Sequence, residues 1–187
     1  MGMMNAAAVQ LAGRYNLPIY ASGGLTEAKR PDIQAGFEKN FSNLLVAISG
    51  ADCIHLTAGM LDSGNSISYE QYVIDNENIG MISRILSGIK VDKSTLALDT
   101  IKQVGPGGNY VMEEHTVEHM MDEFFYPELS VRSNFDVWEE NGQPNMLTRA
   151  HDKVRDILNE DGDTSEGRLD IDMILEIKDR FPEIQNI

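Results

Sequence analysis

Cysteine is nearly absent: Cys53 is the only one in 187 residues. No intrachain disulfide can therefore staple the fold, which suits a reducing, cytoplasmic compartment. Long apolar runs are also missing. No stretch reaches the roughly 18 residues that a membrane-spanning helix needs, so no membrane is expected as a partner. Positive charge is scarce, with 15 Lys and Arg against 30 Asp and Glu and a formal net charge of −15. Such a surface repels a phosphate backbone, whose binding depends on cations displacing counterions, and nucleic acid is excluded as a partner. It suits a cationic ligand or a basic protein surface, although acidity alone also serves solubility. The opening MGMMNAAAVQLAGRYNLP has no basic leader and carries Arg14 near its end, so it reads as a helix and not as a signal peptide. The composition is that of a globular chain without low-complexity tracts. The length suits one domain and falls short of a complete eight-unit α/β barrel.

Periodicity divides the chain in two near Lys90. In the first part, residues 3–14 read as a helix and Leu17 to Ala21 as a short strand broken by Ser22-Gly23-Gly24. Ile33, Phe37, Phe41, Leu44, Leu45 and Ile48 recur at helical spacing, with Pro31 suited to the first helical position and Gly50 to the stop. Cys53 to Leu56 reads as a second strand, ending at Thr57-Ala58-Gly59. Ser68 and Gln71 match a capping box, followed by a long helix through Tyr72, Val73, Ile79, Ile82, Ile85 and Leu86 to Gly88. Alternating helices and apolar strands imply parallel pairing with right-handed crossovers. Beyond Lys90 only helices are expected, over Thr95–Val104, Thr116–Tyr126, Leu147–Leu158 and Ile171–Phe181. Two strands alone leave both sheet edges open, which predicts self-association or a missing N-terminal chain.

Three stretches resemble ligand motifs. EEHTVEH, Glu113 to His119, contains H-x-x-E-H, the two-histidine pattern of one class of zinc peptidases. His115 and His119 do share a helix face, yet Val117, Met120, Met121, Phe124 and Phe125 form an apolar face that accounts for the helix by itself. A third ligand has no distinguished candidate among Glu139, Glu176 and Glu183, so no metal site is assigned. Asp161 to Gly167 is similar to a calcium loop but places Glu166 where the sharp-turn glycine belongs, and reads as a solvated acidic turn. Gly105-Pro-Gly-Gly108 lacks a lysine–hydroxyl pair and a preceding strand, and reads as a helix stop.

Three longer blocks carry a family resemblance. GGLTEAKRPDIQAGFEKN (Gly23 to Asn40), ADCIHLTAGMLDSGNSISYEQYVIDNENIGM (Ala51 to Met81) and VGPGGNYVMEEHTVEHMMDEFFYPEL (Val104 to Leu129) follow one another without large gaps. Together they resemble the trimethylamine methyltransferase (MttB-type) superfamily, which includes glycine betaine methyltransferases and other quaternary-amine demethylases. The resemblance implies an α/β fold, namely the C-terminal portion of a (β/α)8 TIM barrel, followed by an all-helical C-terminal extension. Residues 1–90 would supply the last two strand–helix units and residues 91–187 the extension.

The implied reaction moves a methyl group from a methylated amine to a corrinoid (cobalamin) that a separate, cognate protein carries. No cofactor would be bound by this chain directly. A quaternary ammonium already has a neutral leaving group, so the protein's work would be orientation, dehydration and electrostatic holding of the cation. Aromatic faces and carboxylates suit that task. In a barrel the ligand sits at the C-terminal strand ends. That places the substrate-binding expectation on Ser22, Gly23, Gly24, Thr26 and Glu27 after the first strand, on His55 in the second, and on Tyr69 and Glu70 at the next helix start. Glu70 would equally serve as a carboxylate at a helix N-terminus. No single catalytic residue is assigned. His115 and His119 are expected to be docking groups for the corrinoid protein. Pyrrolysine, present in some members of the family, is absent here, which favours a quaternary amine such as a betaine over trimethylamine. The alternative is a non-catalytic fragment, truncated or split, that serves as an interaction surface.

Overall fold

The computed structural model describes residues 1–159 and 179–180. The chain forms two compact units, Met1–Val154 and Arg155–Ile187, and the packing described below lies within the first. Helix α1 (Gly2–Arg14) leads into strand β1 (Tyr20–Ser22), helix α2 (Ile33–Ile48) and strand β2 (Cys53–His55). The two strands pair in parallel, with Tyr20 opposite Cys53, Ala21 opposite Ile54 and Ser22 opposite His55. A small antiparallel hairpin, β3 (Met60–Leu61) with β4 (Ser66–Ile67), follows β2 and precedes helix α3 (Tyr69–Leu86). Helices α4 (Leu98–Val104), α5 (Glu114–Glu123), α6 (Phe135–Glu140) and α7 (Met146–Asn159) complete the order. Among the described residues no strand follows Ile67.

Strand alternation decides which face of the β1–β2 pair is covered. Ala21 and Ile54 turn one way and join Val9, Ile19, Val46 and Ala51 in an apolar cluster beneath α1 and α2. Tyr20, Ser22, Cys53 and His55 therefore share the opposite face. Leu61 of the hairpin closes a second cluster with Ala28 and Ala35.

Helix α2 has the expected period but presents an unexpected face. Its buried residues are Ala35, Lys39, Asn43 and Val46. The apolar series turns outward instead, with Ile33 80%, Phe37 51%, Phe41 72%, Leu45 40% and Ile48 59% exposed. Pro31 is not the first helical residue. Asp32 is the N-cap, and its side chain accepts from the amide of Ala35 at 3.1 Å, so Pro31 stands one place outside.

Other helix ends also differ from expectation, each for an identifiable reason. The Ser68 hydroxyl accepts from the Gln71 amide at 3.3 Å, but Gln71 does not reach back to complete a capping box. Its amide donates to Asp75 at 2.8 Å instead. Helix α4 starts at Leu98 and not at Thr95, because Asp92 accepts from the amides of Ser94 and Thr95 and holds them in a turn. Helix α5 runs over Glu114–Glu123, earlier at both ends than Thr116–Tyr126. Arg84 takes its last carbonyl, Glu123 O, at 2.8 Å, and Phe124 then swings into extended backbone. Helix α6 was not expected. Asn134 caps it, accepting from Val137 N at 3.0 Å, and the Trp138 indole donates to Pro144 O at 3.0 Å.

A buried carboxylate fastens the segment after α5 to α3. Glu77 accepts from the amides of Leu129 and Ser130 and from the Ser130 hydroxyl. The expected helix Ile171–Phe181 and the acidic turn Asp161–Gly167 fall largely or wholly outside the described residues.

Candidate site at the strand ends

Ser22 and His55 face each other across the strand pair, with the hydroxyl 2.8 Å from imidazole Nε2. Tyr20, two residues upstream on the same face, lays its ring on the imidazole at a centroid distance of 4.3 Å and an interplanar angle of 19°. Tyr20 is 66% exposed, so this face of the sheet ends in an open aromatic surface. His55 Nδ1 is buried without a hydrogen-bond partner. Leu56, the next residue, has φ of 61°, a left-handed conformation that a leucine adopts at a cost of about 1–2 kcal/mol. Local strain of this kind clusters at binding sites.

The loops that leave the two strands are drawn together from below. Gly23 N donates to His55 O at 3.0 Å, and Gly24 N donates to the Ser42 hydroxyl at 3.0 Å. Gly24 has φ of +63°, and a Cβ there would lie 2.7 Å from the carbonyl oxygens of Leu56 and Thr57. Gly59 has φ of +75° and is pressed against the Tyr72 ring, which a Cβ would meet at 2.3 Å. Both positions therefore require glycine. Under these loops, Lys39 Nζ stands 3.1 Å from Asp75 Oδ2, with the two side chains 1% and 2% exposed. The ammonium also donates to Gly24 O at 2.5 Å and Met60 O at 2.9 Å. Asp75 accepts from Gly59 N and from Gln71 Nε2, each at 2.8 Å. Burial pushes the lysine down and the aspartate up, and their mutual attraction opposes both shifts.

The expected binding residues separate into four groups. Ser22 and His55 lie together on the open face, joined by Tyr20, which sequence reasoning missed. Gly23, Gly24 and Thr26 are buried, and their polar groups are used internally. Thr26 donates to Glu38 at 2.6 Å and accepts from Ala28 N at 3.0 Å. Glu27 is exposed and accepts from the Ser63 hydroxyl. Glu38, another carboxylate absent from the sequence reading, is held below the usual range by the Thr26 hydroxyl, then the Glu27 amide and Gln34.

Tyr69 and Glu70 open α3. Tyr69 is 60% exposed. Glu70 accepts from the Ser68 hydroxyl at 2.7 Å and pairs with His151 of α7 at 3.1 Å. Its carboxyl is lowered by His151 first and Ser68 second. This carboxylate works between helices, as a capping and docking group.

His115 and His119 lie with ring centroids 4.4 Å apart and planes tilted by 50°, and both address Ser94. His115 Nε2 lies 2.9 Å from Ser94 O and His119 Nε2 3.3 Å from Ser94 Oγ. Their shared face packs on that turn, while Val117 and Met121 are 60% and 65% exposed. The apolar face of α5 thus does not account for the helix. The histidine face on Ser94 and the Arg84 guanidinium at Glu123 supply its anchorage. Among the described residues no group of three or more His, Cys, Asp or Glu could hold a metal ion, and no helix is long and apolar enough to cross a membrane.

A family model described as trimethylamine methyltransferase (MTTB) matches residues 1–180. The chain belongs to this family. Similar curated proteins include the trimethylamine methyltransferase MttB of Methanosarcina barkeri strain Fusaro, 41% identical over 158 residues. That match covers 84% of this chain and 32% of the relative. A trimethylamine methyltransferase MttB of Desulfitobacterium hafniense is 39% identical over 158 residues, with the same coverage. A glycine betaine methyltransferase of Desulfitobacterium hafniense is 35% identical over 153 residues, 82% of this chain and 32% of that protein. The chain therefore spans about a third of the length of these methyltransferases. The stretch matched by the family model contains the strand pair, its loops and the buried ion pair beneath them.

Proposed function

We propose that this chain contributes the last strand ends of a (β/α)8 methyltransferase barrel, where a methylated amine is held for methyl transfer to a corrinoid on a separate protein. Residues 1–90 would be the barrel part and residues 91–187 the helical extension, in a cytoplasmic enzyme. The observation that carries the reading is the Tyr20–His55 stack, fixed by Ser22, on the sheet face opposite the covering helices. A quaternary ammonium has no proton to donate and no lone pair to accept with, so it is recognised by π-faces and by shape. A cation over an aromatic ring gains about 0.5–1 kcal/mol when exposed and about 2 kcal/mol when dehydrated. The exposed face of Tyr20 offers such a surface.

The roles follow from that chemistry. Tyr20 would hold the cation, His55 would back the ring, and the Ser22 hydroxyl would fix the imidazole's orientation. Glu27, exposed beside the rim, would add long-range attraction for the positive charge. The corrinoid, in its reduced state, would supply the electron pair that accepts the methyl group, and the amine would depart as a neutral base with the electrons of the broken C–N bond. No general acid is needed. The open face of Tyr20 and the exposed Cys53 beside it fit delivery of substrate to a group that approaches from outside. A betaine is the favoured substrate class. His115 and His119 are engaged at Ser94, which supports an anchoring role for them, and any contact with the corrinoid protein would be made by the exposed side of α5.

The direct experiment mixes the chain with a corrinoid protein, a reductant that brings its cobalt to Co(I), and glycine betaine or trimethylamine. Loss of one N-methyl group, followed by proton NMR, supports the reading. No demethylation of either amine overturns autonomous catalysis. The second reading, a non-catalytic piece that completes a larger assembly, is favoured by the outward apolar series on α2.

A further inference from the structure

Lys39 and Asp75 form the most deeply buried ionic pair among the described residues, and neither belongs to the surface proposed to meet substrate. Their donors and acceptors are matched one for one. The ammonium has three protons and three acceptors: Asp75, Gly24 O and Met60 O. The carboxylate receives three donors: Lys39, Gly59 N and Gln71 Nε2. Gly24 belongs to the loop after β1, while Gly59 and Met60 belong to the segment after β2. Lys39 rises from α2 and Asp75 from α3. One pair thus ties two helices to the two loops that continue the strands bearing Ser22 and His55.

Stability alone does not call for such a device. A buried ion pair gives little net stabilisation over apolar side chains of the same volume, because desolvation offsets the attraction. Its distinctive property is geometric. It offers directional bonds to chosen carbonyls and amides, which apolar packing cannot imitate. The loops it holds are those where Gly24 and Gly59 exclude any side chain and where Leu56 is held at positive φ. We infer that Lys39 and Asp75 are positioning residues, which set the spacing of the two strand-end loops and so the placement of His55 and Ser22 toward a quaternary ammonium. This rests on the strand ends being the amine site.

The test uses the 187-residue chain with Lys39→Met, Asp75→Leu and the double variant, and with Asp75→Asn as a milder change. Tetramethylammonium is the probe, followed by NMR, with amide hydrogen exchange at Gly23 and Gly24 and thermal unfolding measured alongside. Each single apolar variant leaves an unpaired buried charge and is expected to unfold more readily. The double variant is expected to unfold less readily than either single variant, because no unpaired charge remains, but not to reach wild type, since Gly24 O, Met60 O, Gly59 N and Gln71 Nε2 lose their partners. Its Gly23 and Gly24 amides should nevertheless exchange about tenfold faster, and tetramethylammonium should bind about tenfold more weakly. Asp75→Asn, which keeps one acceptor oxygen, should show about threefold effects in the same direction. Wild-type exchange and wild-type probe affinity in both the double variant and Asp75→Asn would overturn the inference. Failure of the wild-type chain to bind the probe, with the loops still loosened in the variants, would instead sink the amine-site reading and leave loop positioning intact.

Discussion

Glu77 on α3 reaches Ser130, 53 residues further along the chain, and accepts from its amide at 3.0 Å and its hydroxyl at 2.6 Å. With the Leu129 amide as a third donor, this single carboxylate fastens the segment after α5 to the strand–helix part of the chain. Glu77→Ala would leave two amides without their partner. The expected loss is about 1.5–3 kcal/mol, read from chemical denaturation. Glu77→Gln, which keeps one acceptor oxygen, should lose less. Equal stability of wild type and Glu77→Ala would show that the clasp is idle.

The clasp also predicts a pH dependence. Burial raises the Glu77 carboxyl, but the Ser130 hydroxyl and the Leu129 and Ser130 amides outweigh it, so the net shift is downward from 4.5. A folded pKa below the unfolded one means that the contribution is fully present above about 4.5 and is lost as pH falls through the folded value. Acid unfolding of wild type should therefore be steeper below pH 4.5 than that of Glu77→Gln. Parallel acid-unfolding profiles would contradict the assignment.

Asp92 supplies a second titration, at the turn before α4. The Thr95 amide and then the Lys90 ammonium, with the Ser94 amide, hold its carboxyl down to about 2. The turn it organises should be intact above the usual 3.8 and open as pH falls through about 2. Carboxyl carbon shifts followed by NMR check this directly. A midpoint near 3.8 would mean that the turn is not held by this side chain.

How much was legible in the sequence varied with the kind of signal. Local punctuation carried well: Gly50, Gly88 and Gly105 follow the ends of α2, α3 and α4 as expected. The parallel pairing of β1 and β2 also followed from the alternation of apolar strands and helices. Facing did not. The period of Ile33, Phe37 and Phe41 was correct, yet the covered side of α2 carries Lys39 and Asn43. A rule that turns apolar residues inward cannot anticipate a lysine that is satisfied by a carboxylate on another helix and by two loop carbonyls. Nothing local marks Asp75 as its partner, because the pairing spans 36 positions and depends on the fold. Tyr20 was missed for a related reason: only strand register brings it over His55. The helix α6 is too short to show a period at all.

The outward series on α2 leads to a prediction about association. Ile33, Phe37 and Phe41 follow one another along one side of the helix, and the β1–β2 pair has open edges. Apolar stripes and unpaired strand edges of this kind draw chains together. Sedimentation of the isolated chain should show association that grows with concentration, and Phe37→Lys with Phe41→Glu should reduce it. A clean, concentration-independent monomer would contradict this.

The central claim is that the Tyr20–His55 face at the strand ends holds a quaternary ammonium, and its most direct measurement is a titration with glycine betaine observed at those two rings by NMR. The account predicts saturable shifts of the Tyr20 and His55 ring signals, weakened about tenfold or more in Tyr20→Leu while the fold is retained. Ring signals that stay in place throughout the titration, or equal affinity in Tyr20→Leu, would contradict it.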